Sequence, residues 1–290
     1  MSEVCTGGVD TGFVSLGYAK AAFLGVVQGV SELLPISSTA HMRVVPALLG
    51  WPDPGSAFSA AMQMAALVAV VSYFWSDVSR LARESTRAAL HRDYEDASLR
   101  MVVWIGFATI PIAVAGAFLS PLLNRCGSPL RGLQVVGWAC LAMAVLLGVA
   151  EVMAKHRRDL RQATFLDAIL VGVAQVGAVI PGVSRSGSTL TAALALGFKR
   201  EEAARFSFLL ALPAIALAGV KEVWELHKAH LGAHGWSVLM VGLVVASVSA
   251  FVAIWSLMRI LERFSAWPFV IYRALLGAGL LFAVASGRLV

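Results

Sequence analysis

Charged side chains are scarce in this sequence of 290 residues. Asp, Glu, Lys and Arg make up 14% of it and hydrophobic residues 59%, whereas an average soluble domain carries about 25% charged residues. Six long segments contain no charge: 54–76, 101–124, 132–150, 206–220, 235–258 and 274–287. Because a helix needs about 20 apolar residues to cross the hydrocarbon core of a bilayer, the sequence predicts an all-α polytopic membrane protein and excludes a soluble globular domain.

Cysteines are also few, and the N-terminal segment has little of what a cleaved signal requires. Cys5, Cys126 and Cys140 lack the spacing of a metal site, so free thiols are the simpler interpretation. Glu3 and Asp10 stand where a signal peptide has a basic cluster, and we expect no cleavage. The net charge of +6 does not predict a nucleic-acid partner, because basic residues in a membrane protein mark its cytoplasmic loops.

The segment 25–41, GVVQGVSELLPISSTAH, is apolar at its ends and polar in its middle. Polar and ionisable groups at membrane depth are costly, so they are functional candidates by default. Gln28 and Glu32 stand four residues apart and share one face of a helix. Pro35 predicts that this helix ends and that a second, shorter one follows. A helix broken in this way, with its second half beginning in a polar cavity, is typical of an anion site.

Hydroxyl groups open the second of these two helices. Either Ser37 or Ser38 can cap it, and Ser37 is the better placed of the two. Ser38 and His41 stand three residues apart on one face, as a nucleophile and its base can. The alternative is that His41 only forms a hydrogen bond within the core and Ser37 only caps. Glu32 needs a cation at this depth, which an arginine or a divalent metal could supply.

A second polar segment, PGVSRSGSTLT at 181–191, follows about half a chain later. Arg185 is the only charged residue between Asp167 and Lys199, and its planar guanidinium suits phosphate oxygens. Hydroxyls and glycines surround it: Ser184, Ser186, Ser188, Thr189, Gly182 and Gly187. The alternative interpretation is that Arg185 snorkels or forms a structural ion pair with Glu32. The ring of hydroxyls favours an anion site.

The two segments belong to an internal repeat with an offset of 146 to 148 residues, in which Gln28 parallels Gln175 and PISS at 35–38 parallels PGVS at 181–184. We expect two re-entrant helix pairs, 12–34 with 37–50 and 164–180 with 184–197. The expected spans are 54–76, 101–122, 132–153, 201–221, 236–258 and 266–287. Each half, about 12–153 and 164–288, then holds one pair and three spans. An odd number of spans inverts the second half relative to the first, within a single membrane domain, 1–290.

Basic residues are unevenly divided between the two sides of this arrangement. Fourteen fall on the side of the loops at 77–100 and 154–163, and seven fall on the other side. The positive-inside rule therefore places these loops in the cytoplasm and both termini outside. The two re-entrant pairs would enter from opposite faces and meet near the midplane.

Both polar segments closely resemble the signature motifs of the undecaprenyl-diphosphate phosphatase family, also called bacitracin-resistance proteins. The resemblance extends to FSFLLALPA at 206–214 and to the order of spans over nearly the whole chain. It implies interdigitated inverted repeats with two re-entrant pairs. It further implies hydrolysis of undecaprenyl diphosphate to the monophosphate and inorganic phosphate, which recycles the lipid carrier for cell-wall synthesis.

The resemblance also assigns roles to individual residues. Glu32 would take part in metal-dependent catalysis with Mg²⁺ or Ca²⁺, Ser38 would be the nucleophile and His41 the general acid or base. Arg185 would hold the diphosphate. The expected substrate-binding residues are Gln28, Ser37, Thr39, Ser184, Ser186 and Thr189. The first glutamate of the family's paired motif is Gln28 here, as the resemblance implies for some members, so a mechanism that needs two carboxylates is weakened. Attack by activated water stays open.

The same features allow a second class of function. A secondary transporter or lipid flippase also combines inverted repeats with a polar site at the midplane. As partners we expect the polyprenyl diphosphate lipid and the bilayer, and a homodimer is left open. We expect a multi-pass protein of the bacterial inner membrane whose active site opens to the extracytoplasmic side.

Overall fold

The computed structural model describes residues 5–6, 9–123 and 132–288. Twelve α-helices lie within these ranges: α1 (Gly17–Leu33), α2 (Ser38–Leu48), α3 (Ser56–Ala61), α4 (Gln63–Tyr73), α5 (Trp75–His91), α6 (Ala97–Leu123), α7 (Leu133–Met153), α8 (Phe165–Val176), α9 (Arg185–Ala195), α10 (Arg200–Lys228), α11 (Ala233–Arg263) and α12 (Trp267–Ala285). Two short strands, β1 (Cys5–Thr6) and β2 (Val9–Asp10), pair antiparallel near the N-terminus. The predicted all-helical architecture is confirmed.

Six segments are long and apolar enough to cross a membrane, or up to seven if a bent pair is counted as one span. They are Gly12–Leu33, Ala97–Leu119, Leu133–Met153, Arg200–Lys228, Ala233–Arg263 and Trp267–Ala285. A polytopic membrane protein is therefore the architecture. Gly12–Leu33 has 22 residues and passes this test, so by length alone the first half of the expected re-entrant pair, 12–34 with 37–50, could also cross a membrane.

The predicted span 54–76 is the least regular part of the chain. It divides into α3 and α4 at Met62, and after Phe74 the chain turns by 81° into α5. α5 covers much of the charged loop at 77–100, which we expected to be helical in part. Its buried side chains, including Asp77, Ser85 and Ala88, recur at helical spacing, while most of the others are exposed. This pattern is that of an amphipathic helix lying on the protein surface.

Both predicted helix breaks are present. The first separates α1 from α2 at Pro35, and the second separates α8 from α9 near Pro181. Ser37 caps α2 by accepting the amide of Ala40, as predicted, and Ser184 caps α9 by accepting the amide of Gly187. The two serines have φ of +75° and +73°. Ser184 therefore corresponds to Ser37 at an offset of 147, which corrects our alignment of Ser184 with Ser38.

Small residues allow close helix contacts around the breaks. A Cβ placed on Gly25 would lie 2.6 Å from the carbonyl oxygen of Gly242 in α11. A Cβ on Gly172 would lie 2.3 Å from the carbonyl oxygen of Ala108 in α6. Only glycine leaves room for these backbone approaches. The first broken pair thus packs on a helix of the second half, and the second broken pair packs on a helix of the first half.

An ion pair outside the spans fixes the start of the second pair. Arg158 binds both oxygens of Asp167 at 3.0 and 2.6 Å and donates to the carbonyl of Leu196 at 2.9 Å. Its guanidinium also lies 4.5 Å from the ring centre of Phe198. The loop before α8 is therefore tied to the end of α9. The predicted turn at 124–131, with Arg125, Cys126 and Arg131, lies outside the described residues.

Candidate active site

The turns of the two broken pairs meet inside the helix bundle. Ser186 Oγ donates to the carbonyl oxygens of Leu34 at 3.0 Å and Glu32 at 3.2 Å. The amide of Gly182 donates to Thr39 Oγ1 at 3.1 Å. These contacts join residues more than 140 positions apart in the chain. The two motifs singled out in the sequence therefore form a single site.

Glu32 lies at the centre of this site, with 8% of its surface exposed. Its Oε1 accepts a hydrogen bond from Arg185 Nη2 at 2.5 Å. Its Oε2 accepts from Ser38 Oγ at 2.5 Å and from Gln28 Nε2 at 2.9 Å. Arg185 supplies the positive charge that a carboxylate at this depth requires. One carboxylate thus holds the candidate nucleophile and the candidate phosphate clamp together.

Because Arg185 pairs with Glu32, the structural ion pair considered in the sequence is present. A salt bridge does not exclude phosphate binding, since a guanidinium has five N–H donors and the bond to Glu32 uses one. Arg185 also stands at the first position of α9, where the helix dipole and free amides favour an anion. The clamp role of Arg185 stays a prediction.

His41 has partners other than Ser38. Its Nδ1 lies 2.7 Å from the carbonyl oxygen of Ser37, and its Nε2 lies 2.5 Å from Tyr272 Oη. A carbonyl only accepts, so Nδ1 carries a proton and Nε2 of the neutral ring accepts the Tyr272 hydroxyl. Ser38 and His41 share a helix face, but each side chain is hydrogen-bonded to another residue. The hydroxyl of Ser38 is directed to Glu32 instead.

Arg273 of α12 is a component that our reading of the sequence missed. It is fully buried and donates to the carbonyl oxygens of Pro35 at 3.1 Å, Gly182 at 2.7 Å and Val183 at 3.1 Å. It thereby bridges the turns of both broken pairs. The signal was available: Arg273 is a lone charge in an apolar span, as Arg185 is, and such residues are functional candidates. Tyr272, its neighbour, was missed as well.

The remaining predicted hydroxyls have local partners. Ser184 Oγ and Ser186 Oγ lie 3.2 Å apart, and Ser37 Oγ and Thr39 Oγ1 lie 3.1 Å apart. Thr189 is fully buried and donates to the carbonyl of Arg185 at 2.9 Å. These bonds stabilise the first turns of α2 and α9. Direct contact of these hydroxyls with a substrate stays a prediction.

Two helix N-termini offer backbone donors to the same region. Each α-helix begins with four amides that lack an intrahelical partner. In α2 the amides of Ala40 and His41 are bonded to Ser37, which leaves those of Ser38 and Thr39 without a partner among the described residues. α9 has the same arrangement, with the amides of Gly187 and Ser188 bonded to Ser184. Together with Arg185, these amides favour a polyanionic ligand.

The donor set also fits a hard divalent cation, provided that the substrate supplies further oxygens. Within the described residues no group of three His, Cys, Asp or Glu side chains could hold a metal by itself. Glu32 is the one carboxylate of the site, and Gln28 Oε1 is a buried acceptor without a hydrogen-bond partner. Mg²⁺ is commonly held by one or two carboxylates plus substrate phosphates, and the amide oxygen of Gln28 is a suitable neutral ligand.

The fold and the site together define a helical membrane protein with a buried polar centre suited to a phosphorylated ligand. The chain belongs to the bacitracin resistance protein BacA family, whose sequence profile matches residues 21–279. It is 70% identical over 263 residues to undecaprenyl-diphosphatase 2 of Mesorhizobium japonicum, which covers 91% of this chain and 100% of the relative. It is 46% identical to undecaprenyl-diphosphatase of Gloeobacter violaceus, over 94% of each chain. The corresponding protein of Trichormus variabilis is 43% identical over 97% of this chain and 88% of the relative.

Proposed function

We propose that this protein hydrolyses undecaprenyl diphosphate to undecaprenyl phosphate and inorganic phosphate, and so recycles the lipid carrier for cell-wall synthesis. The family and the printed names of its relatives support this reaction. The observation that carries the proposal is the Ser38–Glu32–Arg185 contact, in which one carboxylate joins a hydroxyl to a cation. This grouping suits phosphoryl transfer, where charge must be neutralised and a nucleophile positioned.

In the proposed complex the diphosphate lies between the first turns of α2 and α9. Arg185 and the free amides of Ser38, Thr39 and Ser186 would neutralise its charge. Arg273 would contribute indirectly, by holding the carbonyl groups of both turns in place. Because these donors are fixed before the substrate arrives, they need no reorganisation during the reaction.

For the chemical step we propose that the Ser38 oxygen attacks the terminal phosphorus while Glu32 accepts the hydroxyl proton. The bond between that phosphorus and the bridging oxygen breaks, and undecaprenyl phosphate leaves. Water then attacks the phosphoserine while its proton passes through the Tyr272 hydroxyl to Nε2 of His41. The bond between phosphorus and the Ser38 oxygen breaks, Glu32 returns its proton to that oxygen, and inorganic phosphate is released. The 2.5 Å contact between Ser38 and Glu32 supports Glu32 as the first base, in place of the His41 expected from the sequence.

We also propose a divalent cation, Mg²⁺ or Ca²⁺, held by Glu32 and by the amide oxygen of Gln28. When bound, such an ion would neutralise charge on the diphosphate oxygens and improve the leaving group. The unpartnered Gln28 Oε1 supports this assignment. Because Gln28 is neutral, the site has one negative charge fewer than a pair of carboxylates would give. We therefore expect the cation to bind weakly and to depend on the substrate for its binding.

We propose the inverted repeat, the re-entrant pairs and the extracytoplasmic opening as the arrangement in the bacterial inner membrane. The matching caps at Ser37 and Ser184 and the reciprocal packing of α1 on α11 and α8 on α6 support the repeat. The excess of basic residues in the loops at 77–100 and 154–163 supports the orientation. The named site residues come from one chain, so a homodimer would leave the composition of the site unchanged.

The decisive experiment is phosphate release from undecaprenyl diphosphate by the purified protein in detergent. A micelle has no two compartments, so a transporter or flippase produces no signal there, whereas a phosphatase releases inorganic phosphate. We expect release that requires Ser38 and Glu32. Absence of release from well-folded protein, with and without Mg²⁺ or Ca²⁺, would contradict the proposal.

A further inference from the structure

An apolar groove of about 610 Å³ lies between the end of α11 and the start of α12. Its lining residues are Ile260, Phe264, Ser265, Trp267, Pro268 and Ile271. All of these side chains except that of Ser265 are apolar. Phe264 and Ile271 are exposed, with 66% and 55% of their surface accessible. The lining of the groove is therefore almost entirely apolar.

The groove lies next to a residue of the candidate active site along α12. On α12, Ile271 precedes Tyr272, whose half-exposed ring lies parallel to His41 with ring centres 5.6 Å apart. Pro268, which also lines the groove, stands four residues before Tyr272 on α12 and so shares a helix face with it. A second apolar groove lies along α7 and α12, and its lining residues Val270 and Ala274 stand two positions from Tyr272, on another face of α12.

We propose that this groove binds the isoprenoid tail of the substrate; the inference rests on the proposed function and extends it to the lipid part of the molecule. The diphosphate lies at the two turns, the first isoprene units pass Tyr272, and the following units lie along Ile271 and Phe264. Tail and bilayer are equally apolar, so selectivity comes from van der Waals packing of the branched chain against fixed side chains.

The direction of the groove agrees with entry from the outer leaflet. From Tyr272 it runs towards Trp267 and Phe264, beside the basic residues Arg259 and Arg263, which the charge distribution places at the cytoplasmic face. A lipid of the outer leaflet has its headgroup outside and its tail directed towards the cytoplasmic half of the bilayer. A tail that starts at the site and continues towards Phe264 has this orientation.

The first test compares two matched double variants with a long and a short substrate. Phe264→Ala/Ile271→Ala empties the groove. Ile110→Ala/Phe282→Ala removes a pair of the same types with matching exposures of 52% and 66% elsewhere on the lipid-facing surface. For the groove variant we expect KM for undecaprenyl diphosphate to rise about fivefold, equivalent to roughly 1 kcal/mol of packing. Its kcat, and its KM for isopentenyl diphosphate, which is too short to reach the groove, should stay unchanged.

The control variant should leave both KM values at the wild-type level. If it raises KM for the long substrate as much as the groove variant does, or if neither variant changes it, ordinary bilayer lipid occupies the groove and the inference is wrong. Loss of activity on both substrates would instead point to the headgroup site and to the proposed function.

A second test does not depend on hydrolysis. A farnesyl methylenediphosphonate with a benzophenone at the end of its tail is cross-linked to the wild-type protein by light and located by peptide mass spectrometry. We expect labelling within residues 260–271 that an excess of undecaprenyl diphosphate suppresses and an excess of phosphatidylglycerol does not. Labelling spread over other exposed helices, or suppressed equally by phosphatidylglycerol, would overturn the assignment.

Discussion

The hydroxyl of Ser38 donates a 2.5 Å hydrogen bond to Oε2 of Glu32 across the first helix break. Glu32 is in the last turn of α1, and Ser38 is the first residue of α2, so the break itself brings them together. A continuous helix would place residues six apart on different faces. The role of Pro35 and the turn is thus to direct a carboxylate and a hydroxyl to the same point.

Ser38→Ala should lower kcat by about three orders of magnitude or more, as loss of a nucleophile does in enzymes whose catalytic residues act as a unit. Ser37→Ala is the control at the neighbouring position, because Ser37 caps α2. We expect that change to cost about 1 kcal/mol of stability and to spare most of the turnover. Steady-state phosphate release and thermal unfolding measure the two effects. Substantial turnover by Ser38→Ala with His41 intact would reduce Ser38 to a binding hydroxyl.

Arg185→Lys should lose most activity although the charge is kept. A lysine ammonium cannot reproduce a planar fork that binds Glu32 and has further N–H donors for two phosphate oxygens. The loss should appear mainly in kcat/KM, with the melting temperature close to that of the wild type. Normal turnover in the lysine variant would show that Arg185 is only a structural partner of Glu32.

Arg273 should behave differently from Arg185. Arg273→Leu leaves the carbonyls of Pro35 and Val183 without this donor and that of Gly182 with only the weak contact from Cys140 Sγ at 3.8 Å. An unsatisfied buried group costs about 1–3 kcal/mol. We therefore expect a large fall in melting temperature together with loss of activity. Arg273→Lys should recover part of the stability, because an ammonium can reach some of the three oxygens. Wild-type stability in Arg273→Leu would refute the bridging role.

Exchange of Gln28 tests the metal assignment. Gln28→Glu gives the site a second carboxylate and should lower the Mg²⁺ or Ca²⁺ concentration needed for half-maximal activity, since hard cations favour anionic oxygen ligands. Gln28→Leu, which has a similar size and no ligand atom, should raise that concentration. An unchanged metal titration in both variants would place the ion elsewhere.

Labelling of introduced cysteines tests the orientation in the membrane. In a protein without native cysteines, Thr86→Cys lies on the exposed face of α5 and Gly232→Cys lies at the start of α11; both positions are exposed. An impermeant maleimide applied to intact cells should label Gly232→Cys only, and Thr86→Cys should react after lysis. The opposite pattern would reverse the orientation derived from the basic residues.

Features that depend on neighbouring residues could be predicted from the sequence. The breaks near Pro35 and Pro181 follow from the missing amide and the restricted backbone at proline. The cap at Ser37 follows from the preference of serine for that position. Membrane helices follow from long uncharged runs. The meeting of the two motifs was also expected, because their repeat offset implies equivalent positions in the two halves.

Features that depend on tertiary contacts could not be predicted from the sequence. Nothing in the spacing of Ser38 and His41 reveals that Nε2 of His41 is hydrogen-bonded to Tyr272, more than 200 residues later in the chain. The choice of Glu32 as the partner of Ser38 depends on the path of the turn between them. The 81° bend before α5 was not predicted, because the end of an uncharged run marks the end of a span but not the direction of the helix that follows it.

Single-turnover hydrolysis by purified wild-type, Ser38→Ala and Glu32→Gln proteins in detergent tests the central claim most directly. With ³²P in the terminal phosphate of undecaprenyl diphosphate, acid quenching should trap label on Ser38 of the wild type before inorganic phosphate appears. Neither variant should form the labelled enzyme or release phosphate at more than a small fraction of the wild-type rate. Rapid phosphate release by Ser38→Ala, or label on any other residue, would contradict the account.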